Sequence, residues 1–515
     1  MYPGKWAKLD PTKIAAIHSG TQEKISFGEL NDRSNRLAQT LRARGLRRGG
    51  HLAIFCSNQL VYFEVAWAAL RSGLYFTTIN RYLSPDEAAY IINDSGAEAL
   101  VATADLAEVA KNFPGLSPHC ETFLSAGGSI EGYETYEEVV SQYPADPLEE
   151  EPLGSFMLYS SGTTGQPKGI RHALTHASVA DHNEHHAFHQ DMWEFNEETV
   201  YLSPAPIYHA APAILSLSTQ ALGGTAVMMP KFEPVAALDA IEKYGVTHSQ
   251  WVPTHFTRFL KAPEEDLQGF DLSSHRYAIH SAAPCPIEVK KRMLDWWGPI
   301  IYEYYSGTES VGATNVGPED WLKYPGTVGQ SMTGPIHICN DEGEELENGE
   351  AGLIYFEMGK EFEYHDDEEK TLASRHPIHP HWAGLGDIGY VNDEGFLFLT
   401  DRATFMIISG GVNIYPQEIE NAMILHPKVA DIAVIGVPSE EMGEEVKAIV
   451  QLAPGIPESA EVSAELTEYV RSRIAHYKCP RSIDFKAELP RLPTGKLYKQ
   501  LLKKEYWGDT QGKNV

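Results

Sequence analysis

The sequence predicts an α/β fold in more than one domain, and three observations carry that prediction. The 515 residues are 43% hydrophobic, more apolar mass than one core normally holds. Near the start, short buried-strand patterns alternate with amphipathic helical ones. Near the end, a charged pair, Asp401 and Arg402, is followed by a compact set of strand and helix patterns of its own, the signature of a small α+β domain.

In SFGELNDRSNRLAQTLRARG, Ser26 stands as an N-cap with Glu29 three residues on. Leu30, Leu37 and Leu41 share one face and Gly45 ends the run, so an amphipathic helix is expected. HLAIFCSN then reads as a buried strand and FEVAWAALRSG as a second helix closed by glycine. The proline- and acid-rich stretch at about 141–155 is expected to be a surface connection into the strand FMLYS. GFLFLTDRATFMIISGG reads as two β-like runs around the charged pair, and VADIAVIGVP, EVKAIVQLAP and AELTEYVRSRIA supply the strands and helix of the last domain. GEELENGEAG and YHDDEEK are expected to be acidic surface loops. No internal repeat is evident.

Forty-one Lys and Arg against 71 Asp and Glu give a net charge of −30. With no basic stripe among aromatics, neither bulk nucleic acid nor anionic membrane is an expected partner. Five cysteines, Cys56, Cys120, Cys285, Cys339 and Cys479, lie far apart without a CxxC pair, which points to a reducing compartment rather than a disulfide framework. MYPGKWAKLDPTK lacks a signal-peptide pattern, and no later stretch reaches the roughly 18 uncharged apolar residues of a spanning helix. A soluble, cytoplasmic protein is expected.

YSSGTTGQPKG, residues 159–169, follows the FMLYS strand. Such a loop can aim successive backbone N–H groups and small hydroxyls at phosphate oxygens, although a Gly/Ser/Thr loop taken alone is as often a plain turn. It is not a Walker loop, because Lys168 lies between Pro167 and Gly169 rather than in GK[ST].

That string, however, resembles the phosphate-binding loop of the adenylate-forming superfamily, which holds acyl-CoA synthetases, peptide-synthetase adenylation domains and luciferases. Further segments resemble the motifs of that superfamily in order: APIYHA (205–210), HSAAPCP (280–286), YYSGTES (304–310), GLGDIGY (384–390), DRATFMIISGGVNIYPQEIE (401–420) and PTGKLYK (493–499). The resemblance spans roughly residues 10–505. It implies a large N-terminal adenylate-forming domain with sheets and flanking helices over 1–400, a hinge at 401–404, and a small mobile α+β C-terminal domain over 405–515.

The activity implied is ATP-dependent joining of a carboxylic acid to coenzyme A through acyl-AMP, with Mg²⁺. Lys496 would bridge the carboxylate and the α-phosphate. Ser160, Ser161, Gly162, Thr163, Thr164, Gly165 and Lys168 would surround the phosphates, and Thr308 would donate to one. Glu309, with Thr164, would hold the metal. Tyr305 would stack on adenine beside Ala283, Asp387 would take the ribose hydroxyls, and Arg402 would add a guanidinium fork. His209, Ala210, Trp251, Ala283, Tyr304 and Ser306 are the acyl-pocket positions. Gly410 and Gly411 would let pantetheine pass close to the backbone, and Lys478 and Arg481 would meet the phosphates of CoA.

Two departures from the family pattern concern the hinge, where Thr404 stands for the usual Asp or Lys and Asp401 for the commoner glycine. Two concern the pocket, where Tyr304 and Ser306 occupy positions that are often glycine, implying a reshaped site for a fatty, aryl or bulky ring-bearing acid. His182, His185, His186 and His189 recur at helical spacing, which admits a zinc site or ordinary packing. No carrier domain follows residue 505, which favours a stand-alone CoA ligase over a peptide-synthetase module. The alternatives are a free-standing enzyme that loads a carrier protein, a luciferase-like oxygenase, and a non-catalytic sensor of acyl-AMP or nucleotide. A homodimer is compatible with the sequence.

Overall fold

The computed structural model describes residues 1–160, 167–357, 362–402, 405–410, 412–439, 441–491 and 497–507. The chain divides into two compact units: Met1–Trp251 with Ala262–Ile279 and Glu361–Thr371, and Val252–Lys261 with His280–Lys360 and Leu372–Val515.

In the first unit, apolar β-branched and aromatic runs build a six-stranded sheet. Its order is Glu134–Thr135, Thr122–Ala126, Ala97–Thr103, His51–Phe55, Tyr75–Thr78, Ser155–Phe156, with every adjacent pair parallel. Parallel strands need crossovers, and helices supply them. The expected helix is Phe27–Ala43, whose N-cap Ser26 and Glu29 form both halves of a capping box. Leu30, Leu37 and Leu41 are buried, and Gly45 after the last turn has φ +100°, a left-handed value that glycine takes without strain. FEVAWAALRSG becomes the helix Val61–Arg71, buried nearly all round. A second set of parallel strands, His248–Trp251, Val200–Ser203, Thr225–Met228 and Ile14–His18, ends in the antiparallel strand Lys24–Ser26. A three-stranded antiparallel sheet joins Leu158–Ser160, Lys168–Arg171 and Glu363–Tyr364.

The second unit is mainly antiparallel. Its strands run Ile301–Ser306, Ala313–Val316, Thr327–Ser331, Leu397–Arg402, Asp387–Val391, Gly352–Glu357, Ile336–Cys339 in spatial order. The late segments form a further sheet in which Val429–Ser439 pairs with Gly443–Leu452 as a long antiparallel ribbon and Ser482–Phe485 joins in parallel. Helices Pro416–Met423 and Ala460–Arg471 cover it, with Ile419, Met423, Val462, Leu466 and Val470 in the core.

YHDDEEK differs from expectation. Tyr364 ends a strand and only residues 365–367 form a loop, for a helix begins at Glu368 and runs to Ala373, with Asp367 accepting from the Lys370 amide in its first turn. An acidic cluster at a helix N-terminus is favourable, and that reading competes with a surface loop. All five cysteines are buried free thiols, and burial raises their pKa values, Cys120 to about 12 and Cys339 to about 11.

Ser26→Ala removes the capping acceptor and is expected to cost about 1 kcal/mol, read as a lower thermal midpoint of the first unit, with Ser26→Asp retaining most of it.

Candidate functional site

Strand Ile301–Ser306 places the aromatic pair of the second unit. Its register against Ala313–Val316 sets Tyr304 opposite Asn315 and Tyr305 opposite Thr314. The Tyr305 hydroxyl donates to Asp387 Oδ2 at 2.7 Å, so two of the expected nucleotide residues are joined directly. Asp387 is buried and opens the strand Asp387–Val391 as the Cα partner of Arg402; the Arg402 side chain lies outside the described residues. Tyr304 bonds with Ser281, and desolvation, larger than the opposing effect of that bond, raises its phenol. Ser281 is the second residue of the HSAAPCP segment, in which Ala282 is at φ +77° and Ala283 is exposed.

The turn after this strand carries Thr308 and Glu309, both half-buried. Ser306 Oγ donates to Gly312 O at 2.8 Å, and Ser310 N donates to Gly307 O at 3.0 Å, with Ser310 at φ +54°. Ser306 therefore ties the turn at its base. A Cβ on Gly307 would lie 2.8 Å from Glu309 Oε2 and 2.7 Å from Leu385 Cδ1, so both side-chain ends pack close against the Gly307 backbone. A half-buried hard oxygen donor seated this way suits a divalent cation already bound to phosphate.

Beneath the aromatic pair lies a charge cluster that the sequence reading missed. Glu303 Oε2 meets Lys290 Nζ at 2.6 Å and His280 Nε2 at 3.3 Å, with all three side chains buried. The ammonium also sits 4.7 Å from the Trp321 ring centroid. Burial alone would raise Glu303, but the Lys290 charge and His280 outweigh it and hold the carboxyl at about 2. Burial, the larger effect, pushes His280 down against the pull of Glu303. The signal available was parity, since Glu303 shares a face with buried Ile301.

In the first unit, strands Leu158–Ser160 and Lys168–Arg171 form the two sides of the glycine-rich hairpin, with Lys168 opposite Ser160. Ser161, Gly162, Thr163, Thr164 and Gly165, and the side chain of Ser160, lie outside the described residues. Lys168 Nζ is 3.3 Å from Asp367. Tyr159, which opens the motif, donates to Asp94 Oδ2 at 2.6 Å, and Tyr90 donates to the other oxygen at 3.2 Å.

His209 is the N-cap residue of helix Ala210–Ala221, its ring 4.3 Å from that of Tyr208. Trp251 is fully buried, and its indole N–H donates to Ser249 Oγ at 2.5 Å. Of the four recurring histidines, His186 and His189 turn Nδ1 to Ser218 Oγ, each at 2.9 Å. His189 stacks on Trp193 and burial takes His186 to about 3. Their spacing serves the packing of two helices.

Late in the chain, Gly410 has φ +57° and donates its amide to Met442 O. Lys478 Nζ holds both oxygens of Glu418 at 2.9 and 2.6 Å, and Arg481 is exposed. Gly411, Thr404 and Lys496 lie outside the described residues.

A model of the AMP-binding enzyme family matches residues 4–359, and one of the AMP-binding enzyme C-terminal domain matches residues 418–496. The chain is 30% identical over 507 residues to the long-chain-fatty-acid–CoA ligase FadD13 of Mycobacterium tuberculosis, covering 97% of each. It is 30% identical over 512 residues to a feruloyl-CoA synthase of Amycolatopsis, covering 98% of each. The crystal structure of the anthranilate CoA ligase AuaEII in complex with anthranoyl-AMP has the same fold, with a TM-score of 0.85 at 22% identity over 98% of this chain and 96% of that one.

Glu303→Gln leaves the buried Lys290 ammonium without its counter-charge and is expected to destabilise the second unit by roughly 3–5 kcal/mol. The folded carboxyl at about 2 lies below its ordinary 4.5, so the unfolded chain binds the extra proton between those values. The difference between wild type and variant is thus full above pH 4.5 and fades as pH falls toward 2, measurable by urea unfolding across that range.

Proposed function

The chain belongs to the AMP-binding enzyme family and is an ATP-dependent carboxylic acid–CoA ligase, and on that premise we propose how its own residues divide the work. A carboxylate is a poor acyl donor. Adenylation corrects this: a carboxylate oxygen attacks the α-phosphorus, the α–β bridging bond breaks, and pyrophosphate leaves. The thiol sulfur of CoA, giving up its proton, then attacks the acyl carbon and AMP leaves. The first step draws two anions together and adds charge at phosphorus, so cations and N–H donors must be in place beforehand.

Lys496 bridges the carboxylate and the α-phosphate, and Thr164 and Thr308 donate hydroxyls to phosphate. Glu309 and Thr164 would hold Mg²⁺, which neutralises charge on the phosphates. Tyr305 and Asp387 take adenine and ribose, and Arg402 reinforces the ribose contact. The observation that carries this nucleotide assignment is the 2.7 Å bond from Tyr305 to Asp387, which joins the residue proposed for adenine to the one proposed for ribose and orients the carboxylate. Residues 1–400 form the adenylating domain and 405–515 the mobile domain, with a hinge at 401–404. Gly410 and Gly411 line the thiol's approach, and Lys478 and Arg481 meet CoA phosphates once Glu418 is displaced from Lys478. His209, Trp251, Tyr304 and Ser306 shape the pocket for a fatty, aryl or bulky ring-bearing acid.

A cytoplasmic location accords with five free thiols and with the finding that, among the described residues, no helix is long and apolar enough to cross a membrane.

The test is AMP release from ATP with palmitate, ferulate and a steroid side-chain acid, each with and without CoA. CoA-dependent release with one class is the expected result. Acid-dependent pyrophosphate exchange indifferent to CoA would assign a carrier-protein acceptor instead, and silence would indicate a sensor. Lys496→Ala is expected to abolish acyl-AMP formation while thiolysis of supplied acyl-AMP persists. Asp387→Asn is expected to raise the KM for ATP by about tenfold, the usual worth of one charge-assisted hydrogen bond, with the KM for the acid unchanged.

A further inference from the structure

The segment Ser203–His209 leaves the strand Val200–Ser203 just as its ladder ends. Strand pairing with Thr225–Met228 stops at Ser203 opposite Met228, after one more bond from Met229 N to Ser203 O at 3.0 Å. Beyond it come Pro204 and Pro206, which have no N–H to offer. Yet Ala205, Ile207, Tyr208 and Met229 are all buried, and buried backbone groups need partners.

The partners come from the carboxyl ends of two strands of the six-stranded sheet. Asn58, buried just beyond His51–Phe55, donates through Nδ2 to Ala205 O at 3.1 Å and to Met229 O at 2.7 Å. Its Oδ1 accepts from Ile207 N at 2.9 Å. Three of the four hydrogen bonds an amide side chain can make are thus spent on neighbouring backbone, two on the segment at 205–207 and one at Met229. Thr78, the last residue of Tyr75–Thr78, donates Oγ1 to Tyr208 O at 2.7 Å. Its neighbour Thr77 donates to Met157 O at 2.9 Å, two residues before the glycine-rich motif. Adjacent hydroxyls of one strand therefore hold the lead-in to the glycine-rich motif and the residue before His209.

We propose that Asn58 and Thr78 are positioning residues for acid selection: they fix the backbone from Ala205 to Tyr208 and so the place from which the His209 ring projects. This rests on the reading of His209 as a wall of the acyl pocket. A side chain that merely stabilised the fold would lower the thermal midpoint and the amount of active enzyme. A positioning side chain changes the KM for the acid while the KM for ATP stays where it was.

The experiment uses the full-length chain and the best acid among palmitate, ferulate and the steroid side-chain acid. Thr78→Val keeps the shape and loses the donor, Thr78→Ser restores it, and Asn58→Asp replaces both Nδ2 donors with an acceptor. The expected result is an acid KM raised by about tenfold or more in Thr78→Val and Asn58→Asp, an ATP KM within about twofold of wild type, and recovery in Thr78→Ser. If Asn58→Asp fails to fold, Thr78→Val with its serine counterpart decides. An unchanged acid KM in Thr78→Val, beside a His209→Ala variant whose acid KM does change, overturns the inference and leaves the pocket reading standing. If His209→Ala is silent as well, both fall together.

Discussion

Where a buried strand ends, its backbone still needs hydrogen bonds, and in this chain that constraint shapes the segments expected to carry the chemistry. Parallel strands deliver their following loops to one edge of the sheet, which is why ligands of α/β proteins gather at carboxyl ends. A loop there cannot use the ladder. Side chains close the gap: the Asn58 amide at Ala205, Ile207 and Met229, the Thr78 hydroxyl at Tyr208, and the Ser306 hydroxyl at Gly312. Each is short or stiff, so the loop it holds is fixed rather than draped.

This explains what could be read from the sequence and what could not. The capping box at Ser26, the buried helix after it and the ribbon of Val429–Ser439 with Gly443–Leu452 depend on neighbours close along the chain, and their patterns are local. The motif residues Tyr305 and Asp387 were legible through resemblance, yet their bond to each other spans 82 residues and no spacing announces it. The bond from Asn58 to Ala205 spans 147. Glu303 and Lys290 were passed over because a carboxylate and an ammonium ordinarily belong at the surface; they are tolerable inside only as a pair, and pairing is a property of the fold. The histidine run shows the reverse case, a regular spacing that resembles ligation while its two buried members, His186 and His189, are spent on Ser218 and Trp193.

Charge is handled in the same paired fashion. In a chain of net charge −30, lysines lie among many carboxylates. Lys168 rests on Asp367 and Lys478 on Glu418.

The burial of the cysteines has its own consequence for an enzyme that makes a reactive anhydride. Acyl-AMP is open to any thiolate, and thiolate nucleophilicity is what CoA itself offers. Cys56, Cys120, Cys285, Cys339 and Cys479 are all enclosed, and desolvation holds each above its ordinary pKa. The protein's own sulfur is thereby enclosed and biased toward the thiol, the form least able to compete with CoA for an activated acyl group.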